Sequence, residues 1–272
     1  MDAAARANIL FIGGCPRSGT TALWKLLVAH PVIVLGIERY VLLTYRNKLT
    51  PELFTRDKFF SLQAGETFYD NIDKFSPYYP KARLAFDAAQ WVGDKLPNLY
   101  FSYSSLAKNF AGAHVFYILR NIIDVAGSYQ KRAEDAGDNT WTEKRDFVAA
   151  VKDWNESIRA TLQYMERAAD KVTFHVISYE ELFLSRVDIA PLFQALGLEG
   201  LAQPRAEYDG LVSASPQLEK KRGDSLTSTQ RHYITRHADF ESYRALYSRR
   251  LILEPLPAAP RSDAPPPNQG TL

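Results

Sequence analysis

The sequence predicts an α/β fold in three layers, a central and mostly parallel sheet flanked by helices. Three observations carry this expectation. Strand-like runs occur at Ile9–Ile12, Ala113–Leu119 and Val172–Ile177, and runs without a polar face suit strands buried on both sides. Helix-spaced segments follow them, and strands that alternate with helices assemble parallel sheets. A glycine-containing turn joins the first run to its helix, as at the ligand-binding edge of such folds.

Ile9-Leu10-Phe11-Ile12 is expected to be the central strand. After the turn, Ala22, Leu23, Leu26, Leu27 and Ala29 repeat with helical spacing until His30-Pro31 stops the helix. Val32–Leu35 reads as the next strand, and "GIERYVLLTYR" as a loop running into a helix. Thr50–Tyr103 is crowded with Phe and Tyr and broken by Pro51, Pro77, Pro80 and Pro97, so it reads as helical excursions over the sheet edge. Ala113–Leu119 is a second buried strand, with Arg120 at its carboxyl end and a helix beginning near Asp124. Phe147–Met165 is an amphipathic helix, with Trp154, Ile158 and Leu162 at spacings of four. Val172–Ile177 is the third strand, closed by "SYEEL", whose Glu180 and Glu181 suit a helix N-terminus. From Glu254 the chain is rich in Pro and Ala and cannot build a core, which gives one domain over residues 1–253 and a disordered tail over 254–272.

Composition narrows the partners. A chain of 272 residues, 46% hydrophobic, can bury a sizeable core. Its net charge of +2 lacks the basic bias of a dedicated nucleic-acid binder, so any anion site must be local. Cys15 is the single cysteine, which excludes an internal disulfide and a cysteine-based metal cluster and points to a reducing compartment. No stretch resembles a signal peptide or reaches the length of a membrane span, and the expectation is a cytoplasmic protein. A homodimer is allowed by the sequence and not specified by it.

The turn itself, "GGCPRSGTT" at Gly13–Thr21, is P-loop-like: it fits the phosphate-loop pattern G-x-x-x-x-G-K-[ST] through Gly14, Gly19 and Thr21. Thr20 stands where the lysine belongs. That lysine neutralises the β and γ phosphates of ATP, so its absence argues against a long polyphosphate. Backbone N–H groups and the helix N-terminus still bind a single phosphate, with Arg17 and the hydroxyls of Ser18, Thr20 and Thr21 as added donors. Further on, Arg120 at a strand end and Ser128 eight residues later fall at the same carboxyl edge of the sheet.

The segment "CPRSGTT" after a strand resembles the 5′-phosphosulfate loop of the sulfotransferases, and the order of motifs resembles the carbohydrate sulfotransferases, here as a bacterial type. The resemblance implies 3′-phosphoadenosine 5′-phosphosulfate as sulfuryl donor, no metal, and a hydroxyl acceptor on a small molecule, glycan or lipid. Pro16, Arg17, Ser18, Gly19, Thr20 and Thr21 would then hold the 5′ end, and Arg120 with Ser128 the 3′-phosphate. Tyr179 in "SYEEL" matches a position set against the adenine, and Lys221, Arg222 and Gly223 in "KKRGDS" match a basic loop that closes over the 3′-phosphate.

Three residues are candidates for the chemistry. Transfer needs a base for the acceptor hydroxyl, a role for His or a carboxylate in the cleft. Glu38 follows "HP" by one short strand, as the base of the carbohydrate branch does, while the steroid and phenol branch uses a histidine. Lys95 in "VGDKLPNLY" resembles the family's E-K-[ST]-P segment, although Leu96 replaces the hydroxyl residue. Arg17 would face the departing phosphate oxygen. A P-loop nucleotide kinase and a non-catalytic nucleotide-binding module remain the alternatives. The aromatic-rich stretch between Phe54 and Tyr103 either lines an acceptor pocket or covers the sheet.

Overall fold

Five strands pair in parallel throughout: β1 Asn8–Gly14, β2 Ile33–Ile37, β3 Trp91–Lys95, β4 Ala113–Leu119 and β5 Val172–Ser178, in the order β2-β3-β1-β4-β5. This computed structural model describes residues 7–69, 76–138, 140–223 and 226–256, apart from the side chains of 216–223. Strand β1 lies at the centre, as its apolar run predicts. The chain goes first to one side of it and then to the other, which makes the carboxyl end of β1 a topological switch point.

Alternation along β1 assigns the two layers. Leu10 and Ile12 face a core shared with helix α1 (Thr20–Val28) and with the segment from Tyr179 to Tyr208. Phe11 faces the opposite side, where it meets Phe54 and Phe110 edge-on at centroid distances of 5.4 and 5.3 Å. On the β4–β5 side, Tyr117, Leu119 and Val176 pack against α2 (Ile122–Ala133) and α3 (Phe147–Arg167). Trp154 and Ile158 of α3 are fully buried there. Helix α4 (Ala202–Gly223) lies across α1 and α2 near the switch point. Among the described residues no helix is long and apolar enough to cross a membrane.

The stretch from 50 to 103 differs from expectation in one respect. Most of it is short helical turns whose aromatics cover the sheet, Phe54, Phe59, Tyr79 and Tyr103 all being buried. Within it, however, "WVGDK" is strand β3, inserted between β1 and β2 and buried at every position. Gly93 permits this, because a Cβ there would lie 1.6 Å from the Leu10 carbonyl oxygen. At the other end, Glu254–Leu256 is built into the fold past the boundary that composition sets. Asp188 N donates to Glu254 O and Leu256 N to Arg186 O.

Candidate active site

The turn between β1 and α1 depends on two glycines and one strained arginine. Gly14 has φ 153° and Gly19 φ 102°, and Arg17 adopts φ 71°, a conformation uncommon without glycine. The Ser18 hydroxyl donates to the Cys15 carbonyl at 2.6 Å and is buried, so it shapes the turn rather than facing a ligand. Among the described residues no side chain caps α1, whose first residue is Thr20. An uncapped helix start is what an anion requires.

Arg120 and Ser128 come to this turn from β4 and α2. Arg120, 1% exposed, donates through Nη1 to the Arg17 carbonyl at 3.3 Å and lies over the Tyr179 ring at 3.9 Å. Arg17 Nε donates to Ser128 Oγ at 3.0 Å, across 111 residues of chain. Tyr179 in turn presses on Gly19: a Cβ at 19 would sit 2.4 Å from its Cδ2. One contiguous surface therefore joins the glycine turn, the arginine at the strand end and the tyrosine. Backbone of α4 remains helical through Gly223, where the sequence suggested a loop, while the side chains of Lys221 and Arg222 lie outside what the structure describes.

Glu38 and Lys95 meet at the ends of neighbouring strands. Glu38 N donates to the Lys95 carbonyl at 2.9 Å, and Lys95 Nζ donates to Glu38 Oε1 at 2.6 Å. Lys95 is 3% exposed at its side chain and Glu38 37%, so the carboxylate is the member open to solvent. Glu38 also has a left-handed backbone, φ 55°. Its cause is next door: Asp94, fully buried, accepts from Arg39 N at 3.1 Å and Tyr40 N at 2.8 Å. Burial pushes the Asp94 carboxyl up to about 7, partly offset by these two N–H donors. Arg39 pairs with Glu66 at 2.7 Å rather than with Glu38. Three histidines are engaged elsewhere: His30 is buried against Phe193, and His114 bonds to His175 at 3.1 Å within the strands.

These groups share a cavity of about 490 Å³ lined by Pro16, Arg17, Gly19, Thr20, Thr21 and also by Glu38, Lys95, Arg120 and Tyr179. Sequence reasoning missed other walls of it. Lys25 stands four residues after Thr21 and Arg132 four after Ser128, one helical turn along each face. Trp141 and Arg145 come from the connection to α3, where no motif marks them. Among the described charged residues lining the cavity, Arg17, Lys25, Lys95, Arg120, Arg132 and Arg145 are cationic and Glu38 is the single anion. Phe68, 71% exposed, is the one described aromatic of the 54–103 stretch that reaches it. No group of three or more His, Cys, Asp or Glu among the described residues is arranged to hold a metal ion.

A search of curated proteins finds no match to the chain. Among solved structures it is similar to a sulfotransferase domain from the curacin biosynthetic pathway. That likeness is 16% identical, covers 89% of this chain and 96% of the other, and has a TM-score of 0.51. A sulfotransferase domain from the Synechococcus PCC 7002 olefin synthase is 17% identical, with 90% and 96% covered and a TM-score of 0.52. Such identities speak for the fold alone. A family model does more, since that of the sulfotransferase family matches residues 10–199. That span runs from β1 through β5 and includes the glycine turn, Glu38, Lys95, Arg120, Ser128 and Tyr179, and the chain accordingly belongs to the sulfotransferase family, enzymes that pass a sulfuryl group to an acceptor.

Proposed function

We propose that the protein transfers the sulfuryl group of 3′-phosphoadenosine 5′-phosphosulfate to an acceptor hydroxyl by in-line displacement, with Glu38 as base. Family membership sets aside the nucleotide kinase and the non-catalytic module. The observation that carries the reading is the convergence of the uncapped glycine turn, Arg120 from a second strand end and one carboxylate–lysine pair on a single cavity. The residues present fit the donor's two anionic ends. An uncapped helix start and glycine turn suit the 5′ end, while Arg120 with Ser128 suits a ribose phosphate. Tyr179, already under the Arg120 guanidinium, would flank the nucleoside. Lys221, Arg222 and Gly223 are proposed as a cover for the 3′-phosphate.

The donor supplies an electrophilic sulfur whose bond to a phosphate oxygen is broken. Glu38 accepts the acceptor's hydroxyl proton as that oxygen bonds to sulfur. Arg17, within the turn, and Lys95, bonded to the carboxylate, would hold the negative charge that develops on the leaving oxygen. Lys95 also fixes the Glu38 carboxylate through the 2.6 Å bond. The buried Asp94 holds the backbone beyond Glu38, so the carboxylate keeps its orientation while it takes the proton.

Thermal unfolding with nucleotides tests the donor. Adenosine 3′,5′-bisphosphate should stabilise the protein without magnesium, by roughly 2.7 kcal/mol at a hundred times its Kd, and ATP should not. A preference for ATP, or a requirement for magnesium, would overturn the reading.

A further inference from the structure

Resting on that reading, we propose that the acceptor is itself an anion, a carboxylate-bearing alcohol whose carboxylate docks on Arg145 beside Trp141 and Arg132. The donor's charges are met by the glycine turn, Arg17, Arg120 and Ser128, and Lys95 is paired with Glu38. Two guanidinium groups on the cavity wall are then left over. Arg132 lies four residues beyond Ser128 on α2, about 6 Å along the helix axis at ~1.5 Å per residue. It is therefore displaced from the ribose phosphate position. Arg145 comes from a separate segment and lines the same cavity.

The local construction is a platform facing that cavity. The Arg145 guanidinium carbon lies 4.0 Å and that of Arg132 4.5 Å from the centroid of the Trp141 ring. Trp141 Nε1 donates to the Arg145 carbonyl at 2.8 Å, which locks the ring beneath the arginine that follows it. Both arginines have carboxylate partners in the chain, and neither carboxylate lines the cavity. Arg132 is held firmly, with Asp138 at 2.5 Å and the Thr140 hydroxyl at 2.8 Å. Arg145 is held loosely, by one long contact from Nη2 to Asp153 Oδ2 at 3.4 Å, and is 37% exposed at its side chain. A guanidinium carries five N–H donors in a planar fork that matches a carboxylate, and stacking on an aromatic ring fixes its plane. Arg145 thus offers an oriented fork towards the same space that Glu38 enters, while Val41, Tyr45 and Phe68 give that space apolar walls for the skeleton between hydroxyl and carboxylate.

Calorimetry on the protein saturated with adenosine 3′,5′-bisphosphate tests this. The titrants are two hydroxy acids, para-(hydroxymethyl)benzoate and hydroxydecanoate, and the methyl ester of each. At least one acid should bind tenfold or more tighter than its ester. Arg145→Gln should erase the difference, Arg145→Lys should restore part of it, and neither should change the affinity for the bisphosphate more than twofold. Equal binding of acid and ester, or no acid binding, overturns the proposal. So does a parallel loss of bisphosphate affinity in Arg145→Gln, which would assign the arginine to the donor. Failure of the donor reading is seen separately, as absence of bisphosphate binding to the unaltered protein. In that event the acid and ester are compared on the free protein with the same Arg145 variants, and the same outcomes decide.

Discussion

Glu38→Gln keeps the side chain's size and shape while removing its charge and its ability to accept a proton. Two costs follow, and their sizes separate catalysis from folding. The stability cost lies in the pair with Lys95, 2.6 Å apart and buried on the lysine side. Glutamine retains an oxygen that accepts from Nζ, and Glu38 is 37% exposed, so solvent screens the lost attraction to about 1 kcal/mol or less. For a chain of this length that lowers Tm by roughly 2–4 °C. The catalytic cost is that of removing a general base, ~10²- to 10⁴-fold in turnover, or about 3–5 kcal/mol of barrier at 1.36 kcal/mol per decade. The rate loss therefore exceeds anything the stability change produces at 25 °C. The assay is single-turnover transfer of labelled sulfur to an acceptor, alongside calorimetric binding of adenosine 3′,5′-bisphosphate and a thermal melt. Turnover should fall at least a hundredfold while nucleotide affinity stays within twofold. Turnover within threefold of the unaltered enzyme would remove Glu38 from the base role, and a matching loss of nucleotide affinity would make it a binding residue instead.

Other expectations follow from the same site. Arg120→Ala should weaken adenosine 3′,5′-bisphosphate binding about 10- to 150-fold, the loss of one charge-assisted bond of roughly 1.5–3 kcal/mol; calorimetry checks it, with Arg120→Lys as the folded control, and unchanged affinity in both removes this arginine from the donor site. Gly19→Ala should weaken nucleotide binding and lower Tm, since its Cβ would overlap Tyr179 Cδ2 at 2.4 Å and φ 102° disfavours any side chain; an unchanged melt and affinity would mean that the turn and tyrosine part without cost. Asp94 makes stability depend on pH. Its folded-state value near 7 lies above the ordinary 3.8, so the folded protein holds the proton more tightly. The contribution is thus complete below pH 4 and is lost as pH rises through 7, on the order of 4 kcal/mol for about three units. Asp94→Asn should accordingly gain on the unaltered protein in denaturant unfolding between pH 5 and pH 8, and parallel curves would refute the account.

Local pattern was enough for the parts whose information is local. The unbroken apolar run of β1 and the glycines after it pointed to the central strand and the turn at its carboxyl end, because a buried parallel strand shows no polar face and glycine takes up the positive φ at positions 14 and 19. Arg120 and Ser128 were equally legible, being eight residues apart on a strand end and the helix after it. Strand β3 was not legible. "WVGDK" is five residues long with a glycine and two charged groups, and it is a strand because β1 and β2 supply hydrogen bonds on both sides. The aromatics around it left the choice between pocket and sheet cover open, and packing resolved that mostly in favour of cover.

Pairings across long loops belong to the tertiary structure. Glu38 and Lys95 were each suggested by their surroundings, yet their bond spans 57 residues and exists because β2 and β3 are neighbours in register, with Ile37 opposite Lys95. Asp94 was unremarkable as a letter and became the anchor of the Glu38 turn once the same pairing placed it under two backbone N–H groups. The wall of Arg132, Trp141 and Arg145 carries no motif, since its meaning lies in which cavity it faces. A sequence specifies which residues can carry charge or turn a backbone, through chemistry that reaches a few neighbours. Only the assembled sheet decides which distant groups come within hydrogen-bond distance, because that is set by strand order and register rather than by separation along the chain.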